Sequence, residues 1–135
     1  MEDCLFCKII NGEIPSTKLY EDEDVFSFLD INPVSKGHTL VTPKKHCATL
    51  LDVPDDLIPK LMKIVKKMAI VVTKAVKAGG FNLQLNNNRV AGQIIDHVHF
   101  HIVPRYEGDG LKHWEGKVYI DEEAEQVKEK IVKFL

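Results

Sequence analysis

The stretch His97-Val98-His99-Phe100-His101-Ile102-Val103, followed at once by Pro104-Arg105, decides how the rest of the chain reads. Histidine alternates with a bulky apolar residue, which is the period-two pattern of a half-buried strand. Alternation predicts His97, His99 and His101 on one face and Val98, Phe100 and Ile102 on the other. At roughly 3.3 Å per residue, imidazoles on the same face stand about 6.6 Å apart along the strand. One face therefore packs into a core while the other presents three titratable rings.

The surroundings bound what those rings can do. The chain has 135 residues, 44% hydrophobic and 28% charged, with a formal net charge of −2. That length predicts a single domain with a substantial core. The charge is unsuited to coating a polyanion, so no nucleic-acid partner is expected. No apolar run reaches the roughly 20 residues of a membrane span, and the start, Met1-Glu2-Asp3-Cys4, lacks the basic-then-apolar build of a signal peptide. A cytoplasmic protein without membrane attachment is the expectation. Three cysteines, Cys4, Cys7 and Cys47, make a poor disulfide framework. Cys4-x-x-Cys7 by itself leaves a metal half-site, a redox pair and inert thiols open.

Outward from the histidines, the pattern predicts an α+β fold: an antiparallel sheet with helices on one side of it. Asp3 is placed to cap a short helix over 4–11 whose apolar set is Leu5, Phe6, Ile9 and Ile10, ended by Gly12. Lys18–Glu21 and Val25–Leu29 read as a hairpin across Asp22-Glu23-Asp24, and His38–Thr42 as a third strand stopped by Pro43. From about Pro54 to Ala78 the period turns helical, with Leu57, Leu61, Ile64, Val65, Met68, Val72, Ala75 and Val76 on one stripe. Ile58, Met62, Ala69 and Val71 widen it beyond what one sheet face needs, as deep burial or a subunit interface would require. Phe81–Asn86 alternates as another strand. Asp121 is placed to cap a terminal helix with Val127, Ile131 and Phe134 on one stripe. The domain core is expected over about 3–115, with a helical extension over about 121–135.

Read as chemistry alone, three histidines on one face suit either a metal or a nucleophile with anion-binding neighbours. Crowded imidazoles resist simultaneous protonation, so a mixed state with one neutral, nucleophilic ring is natural.

The stretch resembles the H-φ-H-φ-H-φ-φ signature of the histidine triad superfamily of nucleotide hydrolases and transferases. The likeness extends through Leu5–Pro15, Phe28-Leu29-Asp30-Ile31, His38-Thr39-Leu40-Val41, Pro43-Lys44-Lys45-His46, Asn86 and Gly92-Gln93, over about residues 3–115. It implies that His99 attacks the α-phosphorus of a purine nucleotide to form a nucleotidyl-histidine that water cleaves, with His97 and His101 orienting it and stabilising charge. A backbone carbonyl is expected on the second nitrogen of His99. The resemblance places His38 in support from a neighbouring strand. It puts Asp30 on the ribose hydroxyls, Leu5, Phe6, Ile9, Phe28 and Ile31 around the base, and Asn86 and Gln93 toward the phosphate or leaving group.

It also implies a structural Zn2+ held by Cys4, Cys7, His46 and His97, with Cys47 a packing residue, and a homodimer. A Ser or Thr is common one place after Gly-Gln; Ile94 stands there, so a leaving-group proton falls to His101, Gln93 or water. The third histidine points to hydrolysis of P–N or P–O–P bonds. A dinucleoside polyphosphate hydrolase of the fragile-histidine-triad branch is the enzymatic alternative. A zinc-stabilised nucleotide-binding module with little turnover is the alternative from another class.

Overall fold

The computed structural model describes residues 3–135. Its elements run α1 (Leu5–Ile10), β1 (Lys18–Glu21), β2 (Val25–Leu29), β3 (Thr39–Pro43), α2 (Leu57–Ala75), β4 (Gly80–Leu85), β5 (Phe100–Arg105) and α3 (Glu123–Val132). The strands form one antiparallel sheet in the order β1-β2-β3-β5-β4. This is the expected α+β architecture.

Local chemistry explains most element boundaries. Asp22 closes the β1–β2 hairpin by accepting the amides of Asp24 and Val25 on Oδ1 at 2.9 and 2.8 Å. The cap of α1 is Cys4, whose Sγ accepts the Cys7 amide, rather than the expected Asp3. Pro59 sits at the third position of α2, where a helix amide has no partner to lose. Pro43, expected to stop its strand, ends β3, and Pro104 lies within β5, where it pairs with Phe81 of β4. The ladder to β3 has already ended at the Thr39–Ile102 pair, so the missing N–H costs no bond on that side.

The sheet has two unlike faces. On one, Val25, Val41, Phe100 and Ile102 pack against Leu61, Ile64, Val65, Met68, Ala69 and Val72 of α2. On the other, Phe26, Phe28 and Leu40 pack with Phe6 of α1, with Ile9 and Ile10 against them. The two helices therefore sandwich the sheet rather than sharing a side. The cause is register: alternate residues of β2 and β3 are apolar on both faces, so both need cover. The third helix covers neither. No residue of α3 is buried, and its first turn follows Asp121 at φ +51° with Glu122 at the cap position and no side-chain cap, so Asp121 does not cap it.

Candidate functional site

The histidines lie where β5 begins. The ladder starts at Phe100, and residues 97–99 approach it in an irregular stretch rather than as strand. Specific bonds replace the ladder there. The Val98 amide donates to the Cys47 carbonyl at 2.7 Å, and the Val98 carbonyl accepts the Thr42 hydroxyl at 2.7 Å. Alternation survives: Val98 packs with Cys47, Val53 and Leu57, while His97 and His99 turn the other way. Thr42, wholly buried, is a positioning residue the sequence reading missed. Its signal was a strand hydroxyl on the face opposite the α2 core.

Backbone partners fix which nitrogen of each ring carries a proton. The Nε2–H of His97 donates to the Pro43 carbonyl at 2.8 Å, leaving Nδ1 as a lone pair aimed at Cys4 and Cys7. The Nδ1–H of His99 donates to the His97 carbonyl at 2.7 Å, so its Nε2 is bare. The carbonyl expected on the second nitrogen of His99 is thus that of His97. His38 Nδ1 accepts the Val34 amide at 3.1 Å, which puts its own proton on Nε2. That proton goes to Nδ1 of His101 at 2.9 Å, and His101 therefore carries hydrogen on Nε2. The His99 and His101 ring centres lie 4.8 Å apart.

Electrostatics keep these rings neutral. Burial, with further repulsion from His46 and His99, lowers His97 from its ordinary 6.5 to about 4, against a smaller upward pull from the Pro43 carbonyl. Burial with the proximity of His99 and His38 takes His101 to about 4, against Asp30. His99 is lowered by burial, partly offset by the His97 carbonyl and Asp30. Burial lowers His38 as well, with Asp30 opposing. At neutral pH His99 is an uncharged imidazole with an available lone pair.

The residues implied to surround the nucleoside separate into two groups. Phe6 stands edge-on to His99 at 4.9 Å and to Phe28 at 5.4 Å; both phenylalanines are buried, with half-buried Ile9 beside them. Leu5 and Ile31 are exposed. Asp30 uses Oδ1 to accept the Asn32 amide at 2.8 Å, and its Oδ2 lies 3.7 Å from His38 Nε2. The carboxylate is both a turn former and a neighbour of the histidine chain.

On the other flank, Asn86 is one residue beyond the Leu85–Phe100 pair, level with His99. Gln93 is buried and fully engaged: its Nε2 donates to the carbonyls of Ala48 and Ile95, and its Oε1 accepts the Asn88 amide. Gly92 at φ +90° makes the turn that sends Gln93 inward. Gln93 staples this loop and has no hydrogen left to donate. Ile94 is exposed. Beyond β4 a cavity of about 530 Å³ is lined by Gln84 and Asn86 together with Lys112, His113 and Trp114; Gln84 pairs directly with His101.

Cys4, Cys7, His46 and His97 come together, their ligating atoms all within 4.8 Å of one another. Three S–N separations are 3.5 Å: Cys4 to His97, Cys7 to His97 and Cys7 to His46. A tetrahedral zinc with ordinary bond lengths would hold sulfur and nitrogen about 3.6 Å apart. The donor set and its spacing fit that ion. Burial, then the neighbouring Cys4, raises the Cys7 thiol, a cost that a bound cation would offset. The four residues tie α1 to the histidine stretch. Among the described residues Cys4, Cys7 and Cys47 form no disulfide, and Cys47 is buried among apolar side chains. A second group, Asp30, His38 and His101, also converges. Its 2.9 Å nitrogen pair is a hydrogen bond, tighter than the roughly 3.3 Å of two nitrogens on one tetrahedral zinc. No helix among the described residues is long and apolar enough to cross a membrane.

Residues 11–108 match the HIT domain. An uncharacterized HIT-like protein of Methanocaldococcus jannaschii is 55% identical over 93% of this chain and 98% of its own length. A Candida albicans protein named adenosine 5'-monophosphoramidase is 45% identical over 80% of this chain and 74% of its own. The crystal structure of a HIT family member from Bacillus subtilis superposes with a TM-score of 0.90 at 42% identity, covering 98% of this chain and 97% of that one. A Zn-bound histidine triad family protein from Mycobacterium smegmatis gives 0.78 at 31% identity, covering 98% and 96%.

Proposed function

The chain belongs to the HIT family, and on that premise we propose that it is a hydrolase of purine nucleotides that works through a nucleotidyl-histidine at His99. One observation carries the reading: His99 Nε2 is bare because Nδ1–H is held by the His97 carbonyl. Nε2 attacks the α-phosphorus, the P–N bond forms, and the bond from phosphorus to the leaving group breaks. The His97 carbonyl stabilises the positive charge that the substituted imidazole then carries. Water attacks the same phosphorus, the nucleoside monophosphate departs, and His99 Nε2 recovers its lone pair. Splitting the reaction this way replaces one difficult displacement by two easier ones.

The neighbours divide the remaining work. His101 presents its Nε2–H to a phosphoryl oxygen and is kept in that tautomer by His38. Asp30 takes the ribose hydroxyls, and the α1 side with Phe6 and Phe28 takes the base. The leaving group lies toward Asn86 and the cavity beyond β4. With Gln93 engaged and Ile94 without a hydroxyl, a departing amine takes its proton from water. Cys4, Cys7, His46 and His97 would hold a structural zinc, which supplies rigidity rather than a reacting group.

The protein acts as a homodimer. Support comes from an apolar groove of about 270 Å³ between α2 and the edge strand β4, lined by Met62, Ala69, Ile70, Phe81 and Leu83. Phe81 and Leu83 stand on the α2 side of the sheet and remain 44% and 42% exposed, as residues awaiting a second chain would.

A panel of adenosine phosphoramidate, adenylyl sulfate and diadenosine polyphosphates, with their guanosine counterparts, tests the reading. Turnover of at least one by the parent, and its loss by more than about a thousandfold in His99→Ala, is expected. Binding of all without turnover would leave only a binding module.

A further inference from the structure

Cys4 and Cys7 are three residues apart at the start of α1, and their Sγ atoms lie within 4.8 Å of each other. The Cys7 amide donates to Cys4 Sγ at 3.4 Å, so the two side chains share one turn. Rotation about the side-chain bonds closes such a gap to the roughly 2 Å of an S–S bond, and Cys-x-x-Cys is the recurrent spacing of dithiol–disulfide pairs.

The two sulfurs are not equivalent. Cys7 Sγ sits between two imidazoles, 3.5 Å from His46 Nδ1 and 3.5 Å from His97 Nδ1. Cys4 Sγ has one such neighbour, His97 Nδ1 at 3.5 Å. Cys4, unlike Cys7, also lines a cavity of about 460 Å³ whose other walls include His46, Arg89, Ile95 and Asp96. Cys4 and Ile95 pack with the apolar cluster on the α1 side of the sheet, away from the groove between α2 and β4 given to the dimer. Pairing of two copies through that groove therefore leaves the cavity open. The third cysteine has no such access, since Cys47 is buried among Val53, Leu57 and Val98. A bound cation would hold both Cys4 and Cys7 as thiolates, and the thiolate is the form that a peroxide oxidises.

We propose that Cys4 and Cys7 form a peroxide-sensitive clasp: Cys4 is the residue oxidised first, Cys7 resolves it, and the disulfide opens the Cys4, Cys7, His46 and His97 set. The Cys4 thiolate attacks one oxygen of hydrogen peroxide; the S–O bond forms, the O–O bond breaks, and hydroxide leaves. The Cys7 thiolate then attacks the Cys4 sulfur; the S–S bond forms and the second oxygen leaves as hydroxide. Both hydroxides take a proton from solvent, so two thiolates lose two electrons and one peroxide becomes two waters. A dithiol reductant reverses the bridge by exchange. The bridge leaves His46 and His97 alone, too few ligands for a closed tetrahedral site. α1 is then joined to the histidine stretch by packing alone, such as Phe6 against His99 and Phe28. His99 keeps its bond to the His97 carbonyl, so the side given to the base loosens before the nucleophile does. That last consequence rests on the hydrolase reading; the chemistry at sulfur does not.

The full chain, supplied with one equivalent of zinc and treated with hydrogen peroxide, tests the proposal through thiol count, intact mass and a chromogenic zinc indicator. Thiols titrated after denaturation should fall from three to one, with a mass loss of about 2 Da and zinc released in step. Dithiothreitol should restore all three thiols, and peptide mapping should join Cys4 to Cys7 with Cys47 reduced. In Cys7→Ser, oxidation should stop at a sulfenic acid on Cys4 that dimedone traps. In Cys4→Ser, dimedone labelling of Cys7 should be at least about tenfold slower. With a nucleotide that is turned over, oxidation should raise KM more than it lowers kcat. Three thiols surviving a dose that fully oxidises free glutathione overturn the proposal, as does a bridge to Cys47. Labelling of Cys7 as fast as Cys4 overturns the order of attack. A chain that takes up no zinc, or a bridged chain that keeps it, overturns the release. If the bridge forms and opens the set but no nucleotide is turned over in either state, the hydrolase reading fails and the clasp stands.

Discussion

Thr42→Val isolates the device that holds His97–His99 outside the sheet ladder. The substitution keeps the shape of the side chain and removes one hydroxyl. In the parent that hydroxyl donates to the Val98 carbonyl at 2.7 Å from a position with no solvent exposure. Without it, a carbonyl buried between His97 and His99 is left unsatisfied, a cost of about 1–3 kcal/mol. The added methyl returns roughly 0.8 kcal/mol. The net loss is about 0.2–2 kcal/mol, or a fall in Tm of up to roughly 8 °C for a domain of this size. The same loosening frees the peptide that carries His99, so kcat should drop by up to about 30-fold. Thr42→Ser, which keeps the donor and loses a methyl, should lose stability but keep kcat near the parent value. Urea denaturation and steady-state kinetics on the three proteins read both quantities. If Thr42→Val matches the parent in midpoint and in turnover, the claim that side-chain bonds replace the ladder at residues 97–99 is wrong.

Three further outcomes follow from the same geometry. In the metal-free protein His97 titrates near 4 when folded and near 6.5 when unfolded, so between those values the unfolded chain binds more protons. Stability should therefore be full above about pH 6.5 and fall as the pH drops toward 4; fully buried His97 accounts for about 2 kcal/mol of that loss by pH 5. A urea midpoint unchanged between pH 8 and pH 5 would contradict the burial assigned to these rings. Elemental analysis should find about one zinc per chain in protein purified without chelator and far less in Cys7→Ser. Chelation should lower the Tm of the parent and leave that variant unmoved. Gln93→Glu places a carboxylate against the carbonyls of Ala48 and Ile95 and should cost about 2–4 kcal/mol. Unchanged stability with lost turnover would instead mean that Gln93 serves the phosphate.

The readable parts of the fold were those in which one residue reports one environment. Val98, Phe100 and Ile102 alternate because a strand has two faces, and Leu57 to Val72 repeat because a helix has one. The opposite placement of α1 and α2 was hidden, because Phe26 and Phe28 look like Val25 and Val41 until register assigns them to faces. At the site, the histidines were visible in their alternation, and the Cys4, Cys7, His46 and His97 set through the family resemblance. Their tautomers were not, because those depend on backbone groups at Val34, Pro43 and His97 that no side-chain pattern encodes. Gln93 carried a polar side chain toward an expected ligand, yet a positive φ at Gly92 turns it into the loop. The terminal helix was legible as a helix. Its lack of any seat on its own body was not, since an amphipathic stripe says only that something covers it.

The account stands on a bond between phosphorus and Nε2 of His99. Rapid mixing with a consumed substrate, quenching without acid, and intact-mass analysis followed by peptide mapping would look for it directly. A nucleotide-sized mass increment on the peptide containing His99, absent in His99→Ala, is the predicted result. An unmodified chain throughout a turnover that demonstrably proceeds, or an adduct mapped to another residue, would contradict it.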